Sequence, residues 1–261
     1  MRSFVTSPEN ATSAPPPSTE DTTPKGTALP ARHSPSVYVD GEVTTSDLKM
    51  PYLSCVHNVG PKSVLFTPGT LVLGEVALTE APKPQEPTPR LRVLFAKVNK
   101  IYMENLPYTT APTAARPRIF ATEEQVKQAG GTLKYAGNIA PSFIPKATCL
   151  ALLRAPKNFE DDPQFSIIDN EKVYTPVMIS FQKTSYPAAK TLFTDLSLSL
   201  RQDPTATFYD LFWVRELKGS NWVWVAKLVR VRDDKPSDAL RDQAKKFAGT
   251  NVEVVDDEAA D

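Results

Sequence analysis

Between residues 50 and 249 the apolar positions recur in short runs, most with the two-residue period of half-buried strands. Residues 50–56 (Met-Pro-Tyr-Leu-Ser-Cys-Val) predict a first strand, with Pro51 at its start, where a missing N–H is tolerated. Asn58-Val59-Gly60-Pro61 and Thr67-Pro68-Gly69 read as turns. Thr70 to Leu78 predicts a strand in which Gly74 marks a bulge. Residues 81–89 hold four prolines and must be loop. Arg90 to Tyr102 is a long β-prone run with basic residues along it, and 107–118 is a second proline-rich loop. A short helix is predicted over 122–129. Thr122 suits its N-cap, Glu123 and Glu124 sit at the positive end of its dipole, and Gly130-Gly131 ends it.

Ala147 to Arg154 is nearly all apolar, which fits a central strand buried on both faces or a short helix, and its length favours the strand. Val173 to Phe181 predicts another strand, and Pro176 places it at an edge or a bulge. Ser185 to Leu200 predicts a helix with Ser185 as N-cap and Pro187 in the first turn. Its apolar face would hold Leu192, Phe193 and Leu196. Thr207–Leu217 and Asn221–Val231 flank Lys218-Gly219-Ser220 and predict a β-hairpin. Alternation in its second run puts Trp222, Trp224, Ala226 and Leu228 on one face. Pro236 to Phe247 predicts a closing helix with acids early and bases late, and Gly249 is placed to stop it. The sum is about seven strands and three short helices, grouped rather than alternating, which favours α+β with an antiparallel, barrel-like sheet. An oligonucleotide-binding (OB-like) barrel is the first candidate.

Composition changes the picture mainly through charge. The 261 residues carry 30 basic and 30 acidic side chains. Residues 1–46 hold three basic against five acidic residues, and 250–261 hold five acidic and no basic ones. Residues 47–249 therefore carry 27 basic against 20 acidic side chains, a net of +7. A basic body between acidic ends can attract a polyanion, and a tethered acidic tail can compete for the same surface. Residues 1–46, with seven prolines and many Ser and Thr, read as a disordered arm, and 250–261 as a disordered acidic tail. The domain is then 47–249.

Few catalytic chemistries fit. The only histidines are His33, in the arm, and His57. A dyad of His57 with Cys55 is less favoured than two strand-end residues. Asp161-Asp162 reads as a solvated turn before Pro163 rather than a cation site. Two cysteines, Cys55 and Cys149, cannot build a zinc site or a disulfide framework. There is no phosphate-cradling glycine motif. No enzyme activity, cofactor or metal is expected.

Single-strand binding needs cations for phosphates and aromatic faces for bases. Strand 90–102 offers Arg90, Arg92, Lys97, Lys100 and Tyr102. The start of the predicted helix offers Lys183, Tyr186 and Lys190. The hairpin offers Trp213, Arg215, Trp222, Trp224, Lys227 and Arg230. The bland alternative is that each Trp is core and each Lys solvated.

The order of segments also resembles a widespread set of mostly uncharacterised tailed-bacteriophage proteins. The phrase that carries the resemblance is Ile179-Ser180-Phe181-Gln182-Lys183-Thr184-Ser185, then a helix with Lys190, a Trp-rich hairpin and a closing helix ending in Phe247. It covers about 50–249 and is one of order and spacing. Many members carry a Cys-rich insert that could bind zinc; this chain has none, so no metal is carried over. The resemblance implies a phage gene product acting on DNA.

The reading is a non-enzymatic single-stranded DNA-binding protein for phage replication or recombination. Its acidic tail would recruit replication or recombination proteins or screen the groove. No membrane partner is expected, homo-oligomerisation is left open, and the expected location is the cytoplasm, of the host cell if viral. The alternative is a phage structural or host-interaction protein that uses the aromatic hairpin as a protein interface.

Overall fold

The computed structural model describes residues 50–106 and 116–249, all within the compact unit Val43–Asp261. The arm 1–46, the tail 250–261 and most of the loop 107–118 lie outside the described residues.

The fold is α+β, with mostly antiparallel sheets. A small antiparallel sheet holds β1 (Leu53–Cys55), β2 (Leu71–Leu73) and β3 (Val76–Ala77). The large sheet is built from β4 (Leu91–Glu104), β5 (Ile119–Phe120), β6 (Phe143–Arg154), β7 (Ile167–Asp169), β8 (Lys172–Gln182), β9 (Tyr209–Lys218) and β10 (Asn221–Arg230). Its strand order is β10-β9-β4-β6-β8-β7, with β5 paired to the far end of β4. Four α-helices complete the described residues: α1 (Lys62–Leu65), α2 (Glu123–Gln128), α3 (Tyr186–Leu198) and α4 (Asp238–Gly249).

The longer predicted elements are present, and the differences are local. Gly74 does not bulge a single strand. With Glu75 it makes a two-residue turn, because Leu73 pairs with Val76 and Gly74 sits at φ +61°. The short pieces α1, β5 and β7 were not anticipated, since two to four residues are too few to display a period. At α2 the cap is as expected: Thr122 and Gln125 form a reciprocal capping box. At α3 it is not. Ser185 precedes the helix, but its hydroxyl makes no cap and instead accepts the Ala226 N–H.

β6 is the centre of the sheet, and its residues Ala147–Leu153 are buried on both faces. Pro176 lies in β8, one strand further out. Met178 directs its N–H away from β6, to the Pro51 carbonyl at 2.9 Å. By the two-residue period the ring nitrogen of Pro176 faces the same way, just beyond the last β7 partner, Tyr174. The missing donor therefore falls where the edge is unpaired.

One face of the sheet packs Val93, Phe95, Cys149, Ile179, Phe181, Tyr209 and Trp224 against α3 and the small sheet. The opposite face packs Leu94, Leu152, Tyr174 and Phe208 against Leu240 and Ala244 of α4. β4 carries a bulge between Phe95 and Lys97, which bends the strand and raises its twist. The sheet is curled but not closed into a barrel. β8 and β10 form no ladder with each other. The turn 183–185 spans between them, and Ser185 Oγ meets the Ala226 N–H at 3.2 Å.

Candidate nucleic-acid interface

The bulge in β4 divides the basic residues of that strand. Leu94 pairs with Leu152 and Lys97 with Leu150, so Arg90, Arg92 and Lys97 share one face. Lys100 and Tyr102 fall on the other. The predicted bases of 90–102 therefore do not form one cationic row.

Arg92 is not available to a phosphate. Its Nε donates to Asp210 Oδ1 at 2.8 Å and its Nη1 to Asp234 Oδ2 at 2.6 Å. Arg90 is more exposed, 3.8 Å from Asp210 and stacked over the Phe212 ring at 4.9 Å. Lys97 is half-buried. Lys227 is neutralised by Glu216 at 2.6 Å, and Lys218 holds the other oxygen of that carboxylate at 2.7 Å. Hydrogen bonds from Lys218 and Lys227 hold the Glu216 carboxyl below the usual range.

The tryptophans divide in the same way. Trp213 and Trp224 are only 5% and 3% exposed and belong to the core, so they cannot stack on a base. The reason is the inward run Tyr209, Leu211, Trp213 on β9 facing Trp224, Ala226 and Leu228 on β10. The Trp224 ring also fills the space above Gly69, where a Cβ would come within 2.5 Å of it. Trp222, on the same face but nearer the hairpin tip, is 47% exposed. Arg215 lies 5.3 Å over its ring. Tyr102 is also buried, packed with Val126 and Phe143.

What the fold does bring together is the far end of β4 and the start of α3. Lys100 lies 5.0 Å over the Tyr102 ring, and Lys190 lies 5.9 Å over the Tyr186 ring. A hydrogen bond to Tyr102 pushes Lys100 up, with a further contribution from Tyr186. Burial pushes the Tyr186 hydroxyl up as well. Lys183, exposed and at φ +48°, sits on the turn that leads into the helix. The Ser185–Ala226 bond seats this group beside β10. Trp222 is four residues along that strand, roughly 13 Å at strand rise. Arg230, exposed, is four residues the other way.

Beyond Arg230 the chain forms a notch of about 290 Å³ lined by Ala206, Thr207, Arg230, Val231, Arg232 and Lys235. Lys235 was not singled out by sequence reasoning, because an isolated Lys in a turn carries no signal of its own.

Cys55 and Cys149 are buried, and burial pushes both thiols up, away from the reactive thiolate. Asp162 Oδ1 accepts the Gln164 N–H in a turn. Among the described residues no three His, Cys, Asp or Glu side chains converge, and no helix is long and apolar enough to cross a membrane. Compared with protein families, with curated proteins and with solved structures, the chain matches none.

Proposed function

We propose that the domain is a non-enzymatic single-stranded DNA-binding module that holds a strand along β10 and the start of α3 seated beside it. The observation that carries this reading is the Ser185–Ala226 contact, which seats one cation–aromatic pair beside the hairpin that carries another. These are Lys190 with Tyr186 and Arg215 with Trp222. Lys100, Lys183 and Arg230 supply further cations, and Tyr186 and Trp222 offer ring surface to bases. The surplus of basic residues over 47–249 supports phosphate neutralisation, without sequence readout. In this reading the curled, open sheet acts in the manner of an OB-like surface. A role in phage replication or recombination rests on the resemblance of segment order alone.

The test is anisotropy of labelled (dT)20 with the full chain over a salt series. Binding that weakens steeply with salt supports the reading, and absence of binding at low salt removes it.

One observation favours a second reading, an interaction surface at the hairpin tip. Trp222 and its cross-strand partner Leu217 are exposed. Asn58 Nδ2 donates to the Trp222 carbonyl at 3.0 Å, which joins the tip to the segment bearing exposed Val59, Val64 and Leu65. Such a cluster suits a protein partner of a phage structural or host-interaction protein. Recovery of the chain as a stoichiometric component of purified virions would favour it.

A further inference from the structure

We propose that Arg230, Arg232 and Lys235 form a phosphate-binding site at the exit of β10. The proposal rests on the strand-binding reading for the source of the phosphate, but its chemistry stands on the notch itself.

Three cations border one notch whose other lining residues, Ala206, Thr207 and Val231, carry no charge. All three are exposed, and none forms an ion pair among the described residues. Three carboxylates of the adjoining segments already have partners. Asp234 holds Arg92 at 2.6 Å, Asp203 holds Arg241 at 3.0 Å, and Asp195 accepts the Tyr209 hydroxyl at 2.9 Å. Asp233 is exposed and does not line the notch. Crowded like charges repel one another, and an anion seated among them relieves that repulsion while gaining charge-assisted hydrogen bonds. Two guanidinium forks and an ammonium match the oxygens of a phosphate in both geometry and charge.

The backbone supports the shape of the site. Val231 N–H donates to the Phe208 carbonyl at 2.9 Å, and Thr207 Oγ1 donates to the Val231 carbonyl at 3.0 Å. These bonds hold the 206–208 and 230–232 segments side by side. Arg230 closes β10, and Arg232 follows in the bend that leaves it, so both line the same notch. The notch is eight residues along β10 from Trp222, roughly 26 Å at strand rise. A strand lying on that edge would present a phosphate there. A phosphodiester of the strand, a terminal phosphate and free phosphate share the chemistry.

The test uses the full chain and its R232Q/K235Q variant, with the milder R232K as a second variant. Both positions are exposed, and thermal unfolding without ligand checks the fold. The probes are (dT)20, (dT)20 with a 5′-phosphate, and inorganic phosphate. The double variant is expected to bind (dT)20 about ten-fold more weakly. Its salt slope should be shallower by about 1.4, the share of two phosphate contacts on a single strand. R232K should lose less. A larger loss with 5′-phosphorylated (dT)20 assigns the site to a terminal phosphate, and an equal loss assigns it to an internal one. Equal affinity and slope for wild type and double variant would overturn the site while leaving strand binding intact. If the wild type binds no (dT)20, stabilisation by inorganic phosphate that the double variant loses would retain the site and remove only the strand reading. No such stabilisation would remove both.

Discussion

The Ser185 hydroxyl accepts the Ala226 N–H at 3.2 Å, and this bond ties the turn that follows β8 to the edge strand β10. A residue placed to cap a helix is used instead to bring that helix start against β10. Ser185→Ala leaves the backbone donor of buried Ala226 without its partner. The expected loss is about 1–3 kcal/mol, the cost of leaving a buried donor unsatisfied, read from urea unfolding. The (dT)20 affinity should fall with it, whereas a surface control such as Lys172→Ala should change neither.

Only one of the three tryptophans is exposed, which gives fluorescence a clean assignment. Addition of (dT)20 is expected to quench the wild-type chain, and Trp222→Phe should abolish the quench while Trp213 and Trp224 still emit. Quenching that survives in the variant would place the bases elsewhere.

Gly69 lies at φ +95°, where a side chain is strained, and its missing Cβ makes room for the Trp224 ring. Gly69→Ala combines backbone strain with a clash against a core aromatic. The expected destabilisation is roughly 2–3 kcal/mol, seen as a lower urea midpoint with unchanged slope.

Acid should weaken the fold through Glu216 and Asp203. Hydrogen bonds from Lys218 and Lys227 lower Glu216. Burial pushes Asp203 up, but hydrogen bonds from Thr205 and Arg241 overcome it and leave the group below its ordinary value. A carboxyl lowered in the folded state contributes stability that is present above its unfolded value and lost as pH falls through the folded one. Melting temperature should therefore drop as pH falls below about 4. Glu216→Gln and Asp203→Asn should melt lower than wild type at pH 7 and show a flatter acid limb, checked by thermal scans from pH 7 to 3.

Residues 250–261 carry five acidic side chains and no basic one. If they screen the basic surface, their deletion should tighten (dT)20 binding several-fold at low salt, with the gain vanishing at high salt. Unchanged affinity at low salt would assign the segment another role.

Much of the architecture was legible where the signal was long. The apolar run of β6 announced a central strand, Gly219 between two β-prone runs announced the hairpin, and Thr122 announced the start of α2. The strand count fell short because β5 and β7 span only two and three residues, and because the turn at Gly74 splits the strand expected over 70–78 into β2 and β3. The candidate site was less legible. Residue types pointed to cations and aromatics, but not to which were already satisfied: Arg92 and Lys227 are held by carboxylates, and Trp213, Trp224 and Tyr102 by the core.

By itself the chain's pattern determined the α+β class, the main strands and helices, and the concentration of basic charge in 47–249, because these depend on local period, capping chemistry and counting. Tertiary structure decided which side chains remain free to act. An inserted residue in β4 reversed the facing of every residue beyond it, separating Lys100 from Arg92, and residues 118 and 142 positions apart supplied Arg92 with its counter-charges. Register and long-range pairing of this kind are set by how distant strands meet, which no local window contains.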